Sequence, residues 1–110
     1  MISLITERGE ALADLCRRSG VRRLYVFGSA LTDRFDSSTS DLDFIVDMAN
    51  RQPTGEYTDR YLGLIDGLEK LFERRVEIVS EQSIRNPYFR EEVEKTRQLV
   101  YEQPLQETPV

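Results

Sequence analysis

Two aspartates, Asp41 and Asp43, open the apolar run Leu42-Asp43-Phe44-Ile45-Val46. The run is short, apolar and preceded by polar residues, so it reads as a buried strand. A strand sends alternate side chains to opposite faces, which puts both acids on one side, about 7 Å apart along the chain. Two carboxylates at the mouth of a buried strand repel each other and lose hydration. The arrangement is costly unless positive charge lies between them, and a divalent cation is the usual answer. The pair therefore points to a metal-dependent enzyme.

Residue inventory narrows the chemistry. The chain has one cysteine, Cys16, and no histidine. An internal disulfide is impossible, a zinc site is nearly excluded, and Ser-His and Cys-His nucleophile pairs drop out. Cys16 shares a helical face with Leu12 and Leu15 and reads as core. Carboxylates, arginines, lysines, tyrosines and hydroxyls remain, an inventory that favours a hard cation held by oxygen.

The net charge of −5 gives no support to nucleic-acid binding. Arginine pairs at Arg17-Arg18, Arg22-Arg23 and Arg74-Arg75 read mostly as solvated helix ends and loops, with a minority left to face an anionic ligand or partner. No apolar run approaches the roughly 20 residues that cross a bilayer. The start, Met1 to Glu7, lacks a basic segment followed by an apolar one. A cytoplasmic protein without membrane contact is the expectation. A length of 110 residues sets an expectation of one domain over 1–103, with a flexible tail at 104–110.

The periodicities order the elements. Ile2 to Arg18 predicts a helix with Ile5, Leu12, Leu15 and Cys16 on one stripe and Gly20 just beyond its end. Arg23 to Phe27 predicts a strand ending at Gly28. Ser29-Ala30-Leu31 begins a short helix, and Asp33 to Ser40 is a polar loop. Leu42 to Val46 is the second strand, followed by an irregular stretch, Asp47 to Thr54. Tyr57, Tyr61, Leu64, Ile65, Leu68, Leu71 and Phe72 keep helical spacing, and Gly63 and Gly67 in that helix allow a close approach to a neighbour. Arg75 to Val79 is a third strand. Asn86-Pro87 starts a last helix whose Phe89, Val93, Thr96 and Val100 face inward. The order predicts a small α/β sandwich, a mixed sheet with helices. The first two strands fit either an antiparallel pairing or a crossover.

Set side by side, the strands let three acids converge. Glu77 lies between Val76 and Ile78 and turns to the face opposite theirs. With Asp41 and Asp43 on a neighbouring strand it completes a three-carboxylate site of the kind that holds two magnesium ions about 3.5–4 Å apart. Gly28-Ser29 supplies the other half. Glycine at a strand end lets backbone approach a ligand, and a following helix start presents free N–H groups to phosphate oxygens.

Gly28-Ser29, the eleven residues separating Ser29 from Asp41, the segment Ser40-Asp41-Leu42-Asp43 and the later Val76-Glu77-Ile78-Val79 resemble the minimal nucleotidyltransferases of the DNA polymerase beta superfamily. The resemblance runs from about Arg22 to Glu102 and is closest to small stand-alone members, including the MntA-like antitoxins encoded beside HEPN-domain toxins. It implies the polymerase beta-like fold, ATP as substrate and two Mg2+ ions. By resemblance Asp41, Asp43 and Glu77 are the catalytic and metal-binding acids, and Gly28, Ser29, Arg34 and Ser40 form the nucleotide-binding set. Ala30-Leu31-Thr32-Asp33 stands where the family usually continues with x-Ala-Arg-Gly, leaving Arg34 as the nearby arginine. Glu77 is one methylene longer than the frequent aspartate.

The implied reaction is in-line attack on the α-phosphate of ATP, catalysed by positioning and charge neutralisation. By resemblance AMP passes to a protein hydroxyl, a tyrosine of a HEPN-family toxin, and the chain acts as antitoxin. A small domain leaves little surface to enclose two substrates, so a partner or a second copy completes the pocket. The alternative is a binding module, catalytically weak, that neutralises a partner by contact.

Overall fold

The computed structural model describes residues 3–28, 41–49 and 55–103. Along them run α1 (Ser3–Thr6), α2 (Gly9–Arg18), β1 (Val21–Phe27), β2 (Leu42–Met48), α3 (Gly55–Phe72), β3 (Val76–Ser80), a short 3-10 turn (Glu81–Ser83), α4 (Pro87–Thr96) and β4 (Gln98–Glu102). The strands form one mixed sheet in the order β3-β2-β1-β4. β2 runs antiparallel to β1 and parallel to β3, and β4 runs antiparallel to β1. Of the two connections left open by the sequence, the first two strands take the antiparallel one.

Register divides the sheet into two faces. Leu24 pairs with Val46, Val26 with Phe44, Leu42 with Val76 and Phe44 with Ile78. This face packs against Ile5, Leu12, Leu15 and Cys16 and against Leu64, Leu68 and Phe72 of α3. Phe44 stacks on Phe72 at 6.1 Å between ring centres. Each such large side chain contributes about 1.5–3 kcal/mol by leaving water, which makes this layer the main source of stability. The opposite face carries Tyr25, Phe27, Ile45 and Val79, covered by Ile84 and by Val93 of α4. Cys16 is fully buried and its thiol is pushed up to about 12 by loss of hydration, as a core thiol should be.

Gly67 explains how closely α2 and α3 approach. A Cβ there would lie 2.5 Å from Leu15 Cδ1, so a side chain would have to displace Leu15. Gly63 meets nothing within 4 Å, so the close approach foreseen for the two glycines belongs to Gly67 alone.

Several boundaries differ from the sequence reading. The first helix is split at Glu7-Arg8, where Gly9, a poor helix former, opens α2. The Arg8 carbonyl still accepts from Leu12 N at 2.9 Å. The last helix ends at Thr96, and Val100 lies on β4. Of the four residues expected to face inward from that helix, Val93 is buried, Val100 is half-buried on its strand, and Phe89 and Thr96 are exposed. Arg97 has extended backbone (φ −61°, ψ 147°), which stops the helix and lets the chain return as an edge strand beside β1. No helix among the described residues is long and apolar enough to cross a membrane. β2 runs on through Asp47 and Met48, the first residues of the stretch expected to be irregular. The expected short helix at Ser29-Ala30-Leu31, the loop from Asp33 to Ser40, residues 50–54 of that stretch and the tail at 104–110 lie outside the described residues.

Candidate active site

Register places Asp43 between two neighbours. On one side the parallel pairing sets it opposite Glu77, and on the other the antiparallel pairing sets it opposite Phe27. All three side chains leave the sheet on the α4 side, in phase with Ile45 and Val79. Asp43 is half-buried and Glu77 exposed. The Asp43 carboxyl is raised above its ordinary value by burial first, then by the charge of Glu77, a hydrogen bond with Glu77 and the charge of Asp41. Asp41 is exposed immediately ahead of β2 and acts on Asp43 through its charge.

Gly28 closes the β1 side. Its φ of +75° is a left-handed conformation that side-chain-bearing residues rarely adopt, and a Cβ would lie 2.7 Å from Asp43 Oδ2. Backbone thus runs directly against the carboxylate, with no room for a side chain between them.

Three bonds hold β3 where Glu77 meets Asp43. Leu42 N donates to Arg75 O at 3.2 Å, Val76 N to Glu69 Oε2 at 3.3 Å, and Tyr61 Oη to Ile78 O at 3.1 Å. Two of the acceptor and donor groups come from α3, so the long helix fixes the strand bearing the third acid. On the opposite face, a groove of about 320 Å³ between α2 and α3 is lined by Asp14, Leu15, Arg18, Gly67 and Lys70. It lies behind the sheet, away from the acids.

Among the described residues, no group of three or more acidic, cysteine or histidine side chains is gathered closely enough to hold a metal ion. Asp43 and Glu77 stand together, and Asp41 contributes from the strand's mouth. The donors are hard oxygens, and the upward push on Asp43 is the strain that a divalent cation between two carboxylates relieves, so the residues present suit such an ion. Ser29, Arg34 and Ser40 lie outside the described residues.

Sequence reasoning passed over Phe27 as a neighbour of the acids, and placed Phe89 inside. Phe89 meets Phe27 edge-on at 6.3 Å with an interplanar angle of 78°. Phe27 was findable: it precedes Gly28, and any antiparallel β1–β2 pairing brings it near Asp43.

The mixed four-stranded sheet with its helices is matched by known proteins. The family model for the nucleotidyltransferase domain covers residues 9–100, and the chain belongs to that family of enzymes. It is similar to a curated protein of Methanocaldococcus jannaschii named as a candidate protein adenylyltransferase. The two are 32% identical over 76 residues, spanning 68% of this chain and 72% of the relative. A solved structure described as a candidate minimal nucleotidyltransferase shares 34% identity and a TM-score of 0.66, over 88% of this chain and 95% of that one. The fold is also that of a chain in the complex of tri-AMPylated Shewanella oneidensis HEPN toxin with MNT antitoxin. That match has a TM-score of 0.61 and 17% identity, over 90% of this chain and 73% of the other. The family and fold implied by Gly28-Ser29 and Ser40-Asp41-Leu42-Asp43 are therefore those of the chain.

Proposed function

We propose that the protein moves AMP from ATP to a protein hydroxyl, with Asp41, Asp43 and Glu77 as the catalytic acids and holders of Mg2+. The observation that carries this reading is the side-by-side placement of Asp43 and Glu77 against a glycine turn that excludes any side chain. Gly28, Ser29, Arg34 and Ser40 are the proposed contacts of the nucleotide. Bound divalent ions supply neutralisation of phosphate charge. The chain's own residues do the rest. Gly28 brings bare backbone up to the acids, where phosphate binds in this reading, and Glu77, on the exposed side of the pair, takes the proton of the acceptor hydroxyl. The acceptor oxygen forms its bond to the α-phosphorus as the bond to the β-phosphate oxygen breaks, and pyrophosphate leaves.

The acceptor in this reading is a tyrosine of a HEPN-family toxin, and the transfer makes the protein an antitoxin in the cytoplasm. Support comes from the protein-adenylyltransferase name of the Methanocaldococcus jannaschii relative and from the shared fold with a chain of the AMPylated toxin complex. A further structure of the same fold, at 16% identity and a TM-score of 0.61, is described as a toxin-antitoxin with AMP-PNP.

A second reading, a binding module that neutralises its partner by contact, is favoured by one observation: no three acids are gathered among the described residues. Asp41→Asn with Asp43→Asn separates the two. Incubation with labelled ATP, magnesium and a HEPN-family toxin should show transfer reduced by about a hundredfold or more, the scale of lost electrostatic stabilisation at a transition state. If the double variant still neutralises the toxin while transferring nothing, contact is the mechanism.

A further inference from the structure

We infer that Phe89 is the platform on which the nucleobase of the donor stacks, an assignment that rests on the nucleotidyl-transfer reading above. Phe89 is a large apolar residue left 43% exposed, and its ring touches the protein edge-on at Phe27. Edge-to-face contact leaves a ring face open to a second planar group. The position of that face is what commits it to a base. In the order β3-β2-β1-β4, Glu77 flanks Asp43 on the β3 side, while Phe27 and Gly28 flank it on the β1 side. Phe89 meets Phe27, and so lies on the flank of Asp43 that carries Gly28, where the transfer reading puts the phosphates. A nucleotide with its phosphates at Gly28 therefore has an aromatic surface within reach of its base.

The helix that carries the ring is anchored at both ends. Asn86 Oδ1 accepts from Tyr88 N at 2.9 Å and from Phe89 N at 3.3 Å, fixing the first turn of α4. Arg90 Nη2 donates to the carbonyls of Glu81 and Ile84, both at 3.0 Å. Arg97 pairs with Glu81 at 3.1 Å and lies 4.0 Å over the Tyr25 ring. An anchored helix keeps the ring's backbone in place when a base arrives, and stacking on the ring is tolerant of base identity because every base has a π-face.

Titration calorimetry of the whole protein with magnesium ATP and with magnesium tripolyphosphate, which lacks the base, tests the assignment. Phe89→Ala should weaken ATP about five- to hundredfold, the range found on removing a stacking aromatic. It should leave tripolyphosphate as tight as in the wild type, and Phe89→Trp should restore ATP. Phe89→Leu, which keeps apolar bulk over Phe27, guards against simple loss of fold: it should melt like the wild type and still bind ATP weakly. ATP binding unchanged in Phe89→Ala overturns the assignment, as does an equal loss of ATP and tripolyphosphate. A wild type that binds tripolyphosphate but shows no preference for ATP over it also overturns the platform and leaves the transfer reading standing. A wild type that binds neither sinks both.

Discussion

Asp43 occupies a position that folding alone would not favour. Its carboxyl is partly removed from water and faces the charges of Glu77 and Asp41, so the folded chain holds a proton there more readily than the unfolded chain does. Because its folded value lies above the ordinary 3.8, stability falls as pH rises through the window that begins there. Asp43→Asn removes that charge. Denaturant melts without metal should show the variant equal to or more stable than the wild type near neutrality, by up to about 1 kcal/mol, the scale of partly screened charge pairs. The difference should shrink as the solution is acidified. Transfer should vanish in the same protein. Gly28→Ala makes a useful contrast, since it combines an unfavourable backbone conformation with a clash against Asp43 Oδ2. Here stability should drop by about 1–3 kcal/mol together with transfer, as read by melting and by labelled ATP. One substitution separates folding from chemistry, and the other damages both.

At the scale of elements, α4 buries one residue, Val93, so its placement leans on the polar contacts of Asn86, Arg90 and Arg97. Asn86→Ala deletes the acceptor for two backbone N–H groups and should lower stability by about 1 kcal/mol in thermal or denaturant melts. The cap was legible in the sequence, because Asn-Pro is a strong helix-start signal. The buried stripe Ile5, Leu12, Leu15 and Cys16 and the apolar run Leu42–Val46 were legible because burial leaves its mark on residue type. β4 was not. Val100 falls seven residues after Val93, which imitates two further helical turns, and the break depends on the Arg97 backbone and on pairing with a strand more than seventy positions earlier. The acids were visible as a motif on one strand. Their meeting with Glu77 was foreseen from strand alternation, whereas the register that sets Asp43 opposite Glu77 depends on how Phe44, Ile78 and Phe72 pack, which no local pattern records.

For the whole molecule, a ligand that neutralises the acidic pair binds the folded form and not the unfolded one. Magnesium ATP at a hundred times its dissociation constant should raise stability by about 2.7 kcal/mol, seen as a higher melting temperature. The shift should disappear in the Asp41→Asn, Asp43→Asn protein. The sheet order also has a kinetic side. Phe27 and Asp43 belong to antiparallel neighbours, whereas Asp43 and Glu77 meet only after the chain has laid down the whole of α3 and brought β3 back in parallel. Distant contacts of that kind close slowly. A copy in which β3 has not yet paired with β2 lacks the Asp43–Glu77 neighbourhood on which the proposed site depends. In the transfer reading, turnover therefore waits on the pairing of β3 with β2.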